Sequence, residues 1–337
     1  MIYNRSKSNN IKAAKMANKQ KRKPDRKALA GIIISILCII GIILIFAFGT
    51  QGNFIDNIKN IWENTIHSGR RVDAAEFTNI KENNDKMILY VMDTGNSDCM
   101  LLRTPQGDTV LIDAADNNDS KQILSTLSSL GITKLNGAVA THPHADHIGS
   151  MDTVLQNIPT DTVYLTDFST ENKNYTNMLT QITQKNIPIV DVNAGTEFSI
   201  GGMTFTALNP QDKAYTDPNE SSIVLLAQYG STKFLFTGDA EEQAIAEIVA
   251  TYPTLLDVDV LKVGHHGSAG ATTSELLTLT TPQVALIPVG KDNKYGHPQK
   301  EVIDLLNQNS IPILRTDRNG DIVVFSDGST ITYKTAA

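Results

Sequence analysis

Cysteine is almost missing from this chain: there are two in 337 residues, Cys38 and Cys99. Cys38 lies in a long apolar run, where it serves as a small hydrophobe, and Cys99 falls in a predicted strand. No intramolecular disulfide is therefore expected, and the count fixes no redox compartment. Aromatic residues are also sparse, at 6%. Even so, 41% apolar residues punctuated by Gly and Pro are ordinary for a globular protein with ample chain to bury a core. No tandem repeat is present. Basic residues are concentrated at the start. Residues 1–27 hold ten Lys or Arg against the single acid Asp25, about +9, and since the whole chain is −7 the remainder carries −16. So acidic a body does not resemble a generic polyanion binder, because phosphate backbones need cations over the contact surface. A local basic groove for nucleic acid stays open.

Charge is absent altogether from residues 29–48, LAGIIISILCIIGIILIFAF. As a helix these twenty residues span roughly 30 Å, the thickness of a bilayer's hydrocarbon core. The basic block before them should stay in the cytoplasm, so the expectation is a single-pass cell-membrane protein with everything after residue 50 outside. A cleaved signal peptide is the alternative. Against it, the run exceeds a usual signal core, Ala47-Phe48-Gly49 is a poor small-x-small site, and Leu37 before Cys38 gives no lipobox. The expected organisation is a basic cytoplasmic tail at 1–28, a transmembrane anchor at 29–48, a connector at 49–86 and an outer domain at 87–335. The tail reads as disordered, with membrane-surface binding as its functional alternative. The connector is polar, with one amphipathic turn around Ile55, Ile58 and Trp62.

From Met87 the pattern changes. MILYVMD, CMLLRT and DTVLID are short β-rich runs between turn residues and predict an antiparallel meander. A helical pattern over 119–130 closes at Gly131, and Gly137–Ala140 is a short buried strand running straight into Thr141. Helix and strand patterns alternate through 149–192. A second β-rich block covers 196–237, with Gly201-Gly202 as a hairpin turn. Helices at 241–250, 274–279 and 299–307 then alternate with strands at 258–263 and 283–288, and strands at 322–325 and 330–333 flank Asp327-Gly328. Two β-rich halves, each followed by helices, predict an α/β fold with two sheets between helical layers.

The chemistry concentrates in Thr141-His-Pro-His-Ala-Asp-His147, which holds three of the seven histidines. On an extended segment His142 and His144 point the same way, while Asp146 and His147 diverge as the chain turns into the next helix. One loop can then feed two adjacent ions with imidazole and carboxylate, ligands suited to borderline divalent metals. Pro143 stiffens the loop and Gly149 permits close approach of the helix start. The bland reading is a surface or core histidine cluster.

This loop resembles the His-x-His-x-Asp-His signature of the metallo-β-lactamase superfamily, an αββα sandwich. Phe234-Leu-Phe-Thr-Gly-Asp239 is similar to the strand that carries its bridging aspartate. Leu261-Lys-Val-Gly-His265-His266-Gly-Ser268 is similar to the segment of its last metal histidine. Val91-Met-Asp-Thr-Gly-Asn-Ser-Asp98, Asn219-Glu-Ser-Ser-Ile-Val-Leu225 and Tyr295-Gly-His297-Pro298 resemble the hydrolase domain of the ComEC family of competence proteins. Full ComEC proteins add a multi-helix channel, which a single apolar span does not imply. The resemblance implies metal ligands at His142, His144, Asp146, His147, Asp239 and one of the pair His265 and His266. His265 is taken as the ligand and His266 as its substrate-facing neighbour. It implies two divalent ions, Zn²⁺ first with Mn²⁺ as the alternative, and catalytic roles for Asp146, His266 and His297. Asp93 and Asp98 are candidates for orienting the metal histidines or for plain turn chemistry; Lys262 and Lys294 are candidate phosphate contacts or simply solvated.

One histidine of the superfamily pattern is missing. None occurs between His147 and His265, and Asn219 stands twenty positions before Asp239. The expectation is a water or an Asn/Asp oxygen in that place, one ion held more weakly than the other, and Mn²⁺ more competitive with Zn²⁺. The function expected from the resemblance is phosphodiester hydrolysis outside the membrane, with single-stranded DNA as a substrate. The alternatives are an envelope phosphodiester such as a teichoic-acid or phosphocholine ester, and a non-catalytic binding module that kept its metal loop. A β-lactam or lactone ranks below these.

Overall fold

Strands with apolar residues at nearly every position must be covered on both faces. In the computed structural model, which describes Ala74 and residues 83–167 and 172–337, the first strands are of this kind. β1 (Met87–Val91), β2 (Met100–Arg103) and β3 (Thr109–Ile112) bury almost every side chain and pair antiparallel, forming the expected meander. The chain continues through α1 (Ser120–Ser129), β4 (Gly137–Val139), α2 (Ala145–Ile148), α3 (Met151–Asn157), β5 (Val163–Leu165), α4 (Lys173–Lys185) and β6 (Ile189–Asp191). From β3 to β6 the strands are parallel, each crossover carrying a helix.

The second half repeats the plan. β7 (Glu197–Ile200) and β8 (Met203–Asn209) meet at Gly201-Gly202. Both glycines have positive φ, 58° and 78°, as a two-residue type I′ hairpin requires. β9 (Val224–Tyr229) and β10 (Thr232–Phe236) complete the antiparallel part. α5 (Glu242–Thr251), β11 (Val260–Lys262), α6 (Ser274–Thr280), β12 (Val284–Ile287), α7 (Lys300–Gln308) and β13 (Ile313–Arg315) add the parallel part. A one-turn helix, α8 (Thr316–Asn319), leads to β14 (Ile322–Ser326) and β15 (Ile331–Thr335). These last strands return to the first sheet, whose order is β15-β14-β1-β2-β3-β4-β5-β6; the second runs β13-β12-β11-β10-β9-β8-β7.

Three apolar layers hold the sheets and helices together. Leu89, Val91 and Leu102 from one sheet pack with Phe205, Phe234 and Phe236 from the other, and these phenylalanines are fully buried. Each buried side chain of this size contributes about 1.5–3 kcal/mol. Ile123, Leu127, Val154 and Met178 seal the helices against the outer face of the first sheet, and Ala244, Ile248, Leu276 and Val302 do so on the second. This is the expected α/β sandwich with helices outside two sheets. Parallel strands present their carboxyl ends together, and here β3, β4, β10, β11 and β12 bring the loops that follow them to one site.

The expected tail at 1–28, the expected anchor at 29–48 and nearly all of the expected connector at 49–86 lie outside the described residues. No described helix is long and apolar enough to cross a membrane.

Candidate metal centre

The histidine loop begins where β4 ends. Its backbone stays extended through His144, at φ −71° and ψ 152°, and becomes helical at Ala145. The extended part brings His142 Nε2 within 3.1 Å of His144 Nδ1. The helical part turns His147 inward, so that its ring lies 4.1 Å from that of His142. Gly149 makes this possible: a Cβ there would lie 2.4 Å from the Ala145 carbonyl oxygen and 2.5 Å from the Asn117 nitrogen.

Asp239, in the loop after β10, sits at the centre. Its Oδ2 is 3.2 Å from His147 Nε2, 3.5 Å from His265 Nε2, 3.9 Å from His266 Nε2 and 4.0 Å from His142 Nε2. Asp146 Oδ2 approaches His266 Nε2 at 3.5 Å. One ligand-type atom each from Asp146, His147, Asp239 and His266 all fall within 4.8 Å of one another. His147 Nε2, His266 Nε2, Asp239 Oδ1 and Asn219 Oδ1 are buried without a hydrogen-bond partner. Orphaned polar atoms are costly in an interior, and a cation placed among them would satisfy several at once. The donor set of imidazoles and carboxylates fits divalent ions of the Zn²⁺ or Mn²⁺ kind.

Neighbouring groups fix the histidine rings. His147 Nδ1 is 2.8 Å from Asp113 Oδ2. Asp113 in turn accepts from the Thr141 amide at 2.9 Å and the Thr141 hydroxyl at 2.7 Å. His266 Nδ1 donates to the Pro288 carbonyl at 2.9 Å. Both rings thereby turn Nε2 toward the cluster, the usual way a second partner sets the tautomer of a ligand histidine. His265 and His266 both have positive φ, 45° and 53°, an unfavourable conformation for non-glycine residues that concentrates at functional sites. His265 is 27% exposed, with Nδ1 paired to Glu241 Oε1.

Charge is balanced by Lys262. It is fully buried, with Nζ 2.5 Å from Asp98 Oδ2, 3.6 Å from Asp239 Oδ1 and donating to the Gly238 carbonyl at 2.6 Å. Burial alone would lower the lysine pKa, but Asp98 and Asp239 outweigh it and raise it. Burial likewise pushes Asp239 up, and the opposing pull of His147, His266 and Lys262 holds it well below the usual carboxylate range. Asp146 is lowered in the same way, its burial outweighed by His266 and His147. His147 is raised well above its ordinary value because Asp239 and Asp113 overcome burial, while His142 is lowered by burial and by His147.

All the residues singled out from the loop and from Asp239 meet here, as do both histidines of the 265–266 pair. His266, expected to face substrate, is the one that falls within the ligand cluster; His265 stands at the rim beside His297, ring centroids 5.3 Å apart. Asp93 serves a turn, its Oδ1 accepting from the Gly95 amide at 3.4 Å. Asp98 lies beside Lys262 and the ring of His266. Sequence reasoning missed Asp113 and Glu241, although Asp113 follows strand β3 much as Asp239 follows β10. An open pocket of about 340 Å³ gives access, lined by His144, Asp146, Asn219, Asp239, His265 and His297 among others.

Residues 92–291 match the metallo-beta-lactamase superfamily model. ComE operon protein 3 of Bacillus subtilis is 30% identical over 249 residues, 69% of this chain and 32% of that protein. Recombination protein 2 of Haemophilus influenzae is 30% identical over 206 residues, covering 60% and 24%. Competence protein ComA of Neisseria gonorrhoeae is 27% identical over 234 residues, covering 68% and 31%. The chain thus spans a third or less of the length of these curated relatives. With more than half of its length matched and a metal-type cluster at the strand ends, the chain belongs to the metallo-beta-lactamase superfamily, as a hydrolase related to competence proteins.

Proposed function

We propose that the domain is a two-ion phosphodiesterase, with DNA as the first substrate class to test. The observation that carries this reading is the convergence, from both sheets, of buried ligand atoms left without partners. His142, His144 and Asp239 would hold one ion; Asp146, His147, Asp239 and His266 would hold the other. On this reading His265 and His266 would exchange the roles expected from sequence. Two divalent ions bound there supply Lewis acidity, acidifying water and drawing charge from the non-bridging oxygens of a phosphodiester. Asp239 and Asp146, both held ionised, orient the nucleophile and keep it in line. His297, half-buried at the rim and held below its ordinary pKa by burial and by His265 and His266, would contact a phosphoryl oxygen as a neutral imidazole. His265, steadied by Glu241, shares that rim.

The names of the relatives, two of them competence and recombination proteins, support a nucleic-acid substrate. The twenty apolar residues at 29–48, preceded by ten basic ones, would anchor the domain on the outer side of the cell membrane. An envelope phosphodiester is the second reading. It is favoured by a cavity of about 550 Å³ beside Pro143, lined by Asp167, Asp191 and Asp212, with Lys213 already paired to Glu247. Such a wall suits a cationic or hydroxyl-rich group, as on a phosphocholine ester, better than a polyanion.

The test is hydrolysis of bis-p-nitrophenyl phosphate and of single-stranded DNA by the Zn²⁺- or Mn²⁺-loaded protein, with His144→Ala as control. Cleavage of both, lost in the variant, supports the nuclease reading. Cleavage of the small ester alone moves the assignment to an envelope substrate. Inactivity on both sinks the phosphodiesterase and leaves the binding module.

A further inference from the structure

The ion assigned to His142 and His144 has room for a further donor. Two imidazoles and one oxygen of Asp239 make three, and a water or a side-chain oxygen can take a remaining position. No histidine lies between His147 and His265 to supply another. Asn219 does lie at the pocket. It is only 9% exposed, it lines the same cavity as His144, Asp146 and Asp239, and its Oδ1 is buried with no partner.

The turn that carries Asn219 is fastened to the metal loops on both sides. The Ser222 hydroxyl accepts from the Asp239 amide at 3.2 Å, and the Ile223 amide donates to the Thr141 carbonyl at 2.9 Å, immediately before His142. Asn209 Nδ2 braces the turn from behind, donating at 2.8 Å to the carbonyls of both Glu220 and Ser222. Asp217 Oδ1 accepts from the Asn219 amide at 2.9 Å. A side-chain oxygen is thus held in place on a rigid mount, at the cost of leaving it unpaired.

We infer that Asn219 Oδ1 is a ligand of the ion held by His142 and His144. This rests on the two-ion reading above and makes the site asymmetric. A neutral amide oxygen is harder and weaker than an imidazole, so this ion is the more easily lost, and its site discriminates less against Mn²⁺ in favour of Zn²⁺.

The experiment uses full-length protein in detergent, stripped of metal and equilibrated with Zn²⁺ or Mn²⁺ at a series of free concentrations. Bound ions are counted by elemental mass spectrometry, and Co²⁺ absorption and Mn²⁺ spin resonance report the coordination. Wild type should bind two ions of unequal affinity. Asn219→Ala should weaken the weaker one by more than about tenfold, the scale on which even outer partners of metal ligands act. Asn219→His should tighten Zn²⁺ there by about tenfold or more, reverse any preference for Mn²⁺ and alter the Co²⁺ spectrum. His266→Ala should instead weaken the other ion. Should Asn219→Ala fail to fold, Asn219→Asp keeps the shape, adds a charge and should tighten the weak ion. Two ions bound by wild type with unchanged affinities in the Asn219 variants overturn the assignment alone. Fewer than two ions in wild type overturns the two-ion reading and the inference with it.

Discussion

Asp113 carries His147 from behind, and its loss should be felt by the metal rather than by the fold alone. Asp113→Asn should reduce metal affinity by about 10–100-fold, read as ions retained per chain after dialysis. Lys262 poses the opposite case, a buried cation whose removal strands the Asp98 carboxylate. Lys262→Met should destabilise the metal-free protein by about 3–5 kcal/mol, measured by denaturant unfolding. His147 gives a pH dependence. Asp239 and Asp113 overcome its burial and raise its pKa, so the metal-free protein keeps a proton there at neutral pH. That pairing stabilises the metal-free fold fully below about pH 6.5, the unfolded value, and fades as pH rises through the folded value. An ion that needs Nε2 must displace the proton, so apparent metal affinity should climb with pH, by up to about tenfold per unit. Calorimetry in two buffers of different ionisation enthalpy should find protons released on metal binding at pH 7; none released would contradict it. The ligand loop was legible because its residue types are unusual and adjacent. Asp113 was not, because an aspartate closing a strand looks like turn chemistry until its partner 34 residues away is in place. Lys262, a phosphate contact or a solvated lysine by sequence, is hidden for the same reason, its two carboxylates being remote in sequence. Which of His265 and His266 turns into the cluster depends on two consecutive left-handed residues, which composition does not announce.

At the scale of elements, the joint between α2 and the loop before α1 is packed backbone against backbone. A methyl group at Gly149 would meet backbone rather than a movable side chain, so relaxation must displace α2 and the histidines on it. Gly149→Ala should cost at least about 1–3 kcal/mol in a thermal melt and lower metal retention with it. Strongly patterned elements were readable: the meander, the Gly201-Gly202 hairpin and the amphipathic helices over 119–130 and 299–307 correspond to β1–β3, the β7–β8 turn, α1 and α7. β13 and α8 were not read. Three residues of strand and four of helix offer too few periods for a pattern, and parallel pairing with β12 holds β13 in place.

Taken whole, the molecule joins two halves that each lack a complete site. His142 to His147 follow a strand of the first sheet; Asp239 and His266 follow strands of the second. Ion binding across that seam should resist separation of the sheets. The loaded protein should be more stable than the chelated one by about 2.7 kcal/mol at a free metal concentration a hundred times its Kd, seen as a higher melting temperature. The first sheet also depends on the end of the chain, since β14 and β15 lie beside β1 at its edge. While the protein is being made, the histidine loop therefore exists long before its counterparts, and an early fragment offers only half of a coordination shell. A tightly held ion would then be a certificate of assembly, issued only after both halves have met.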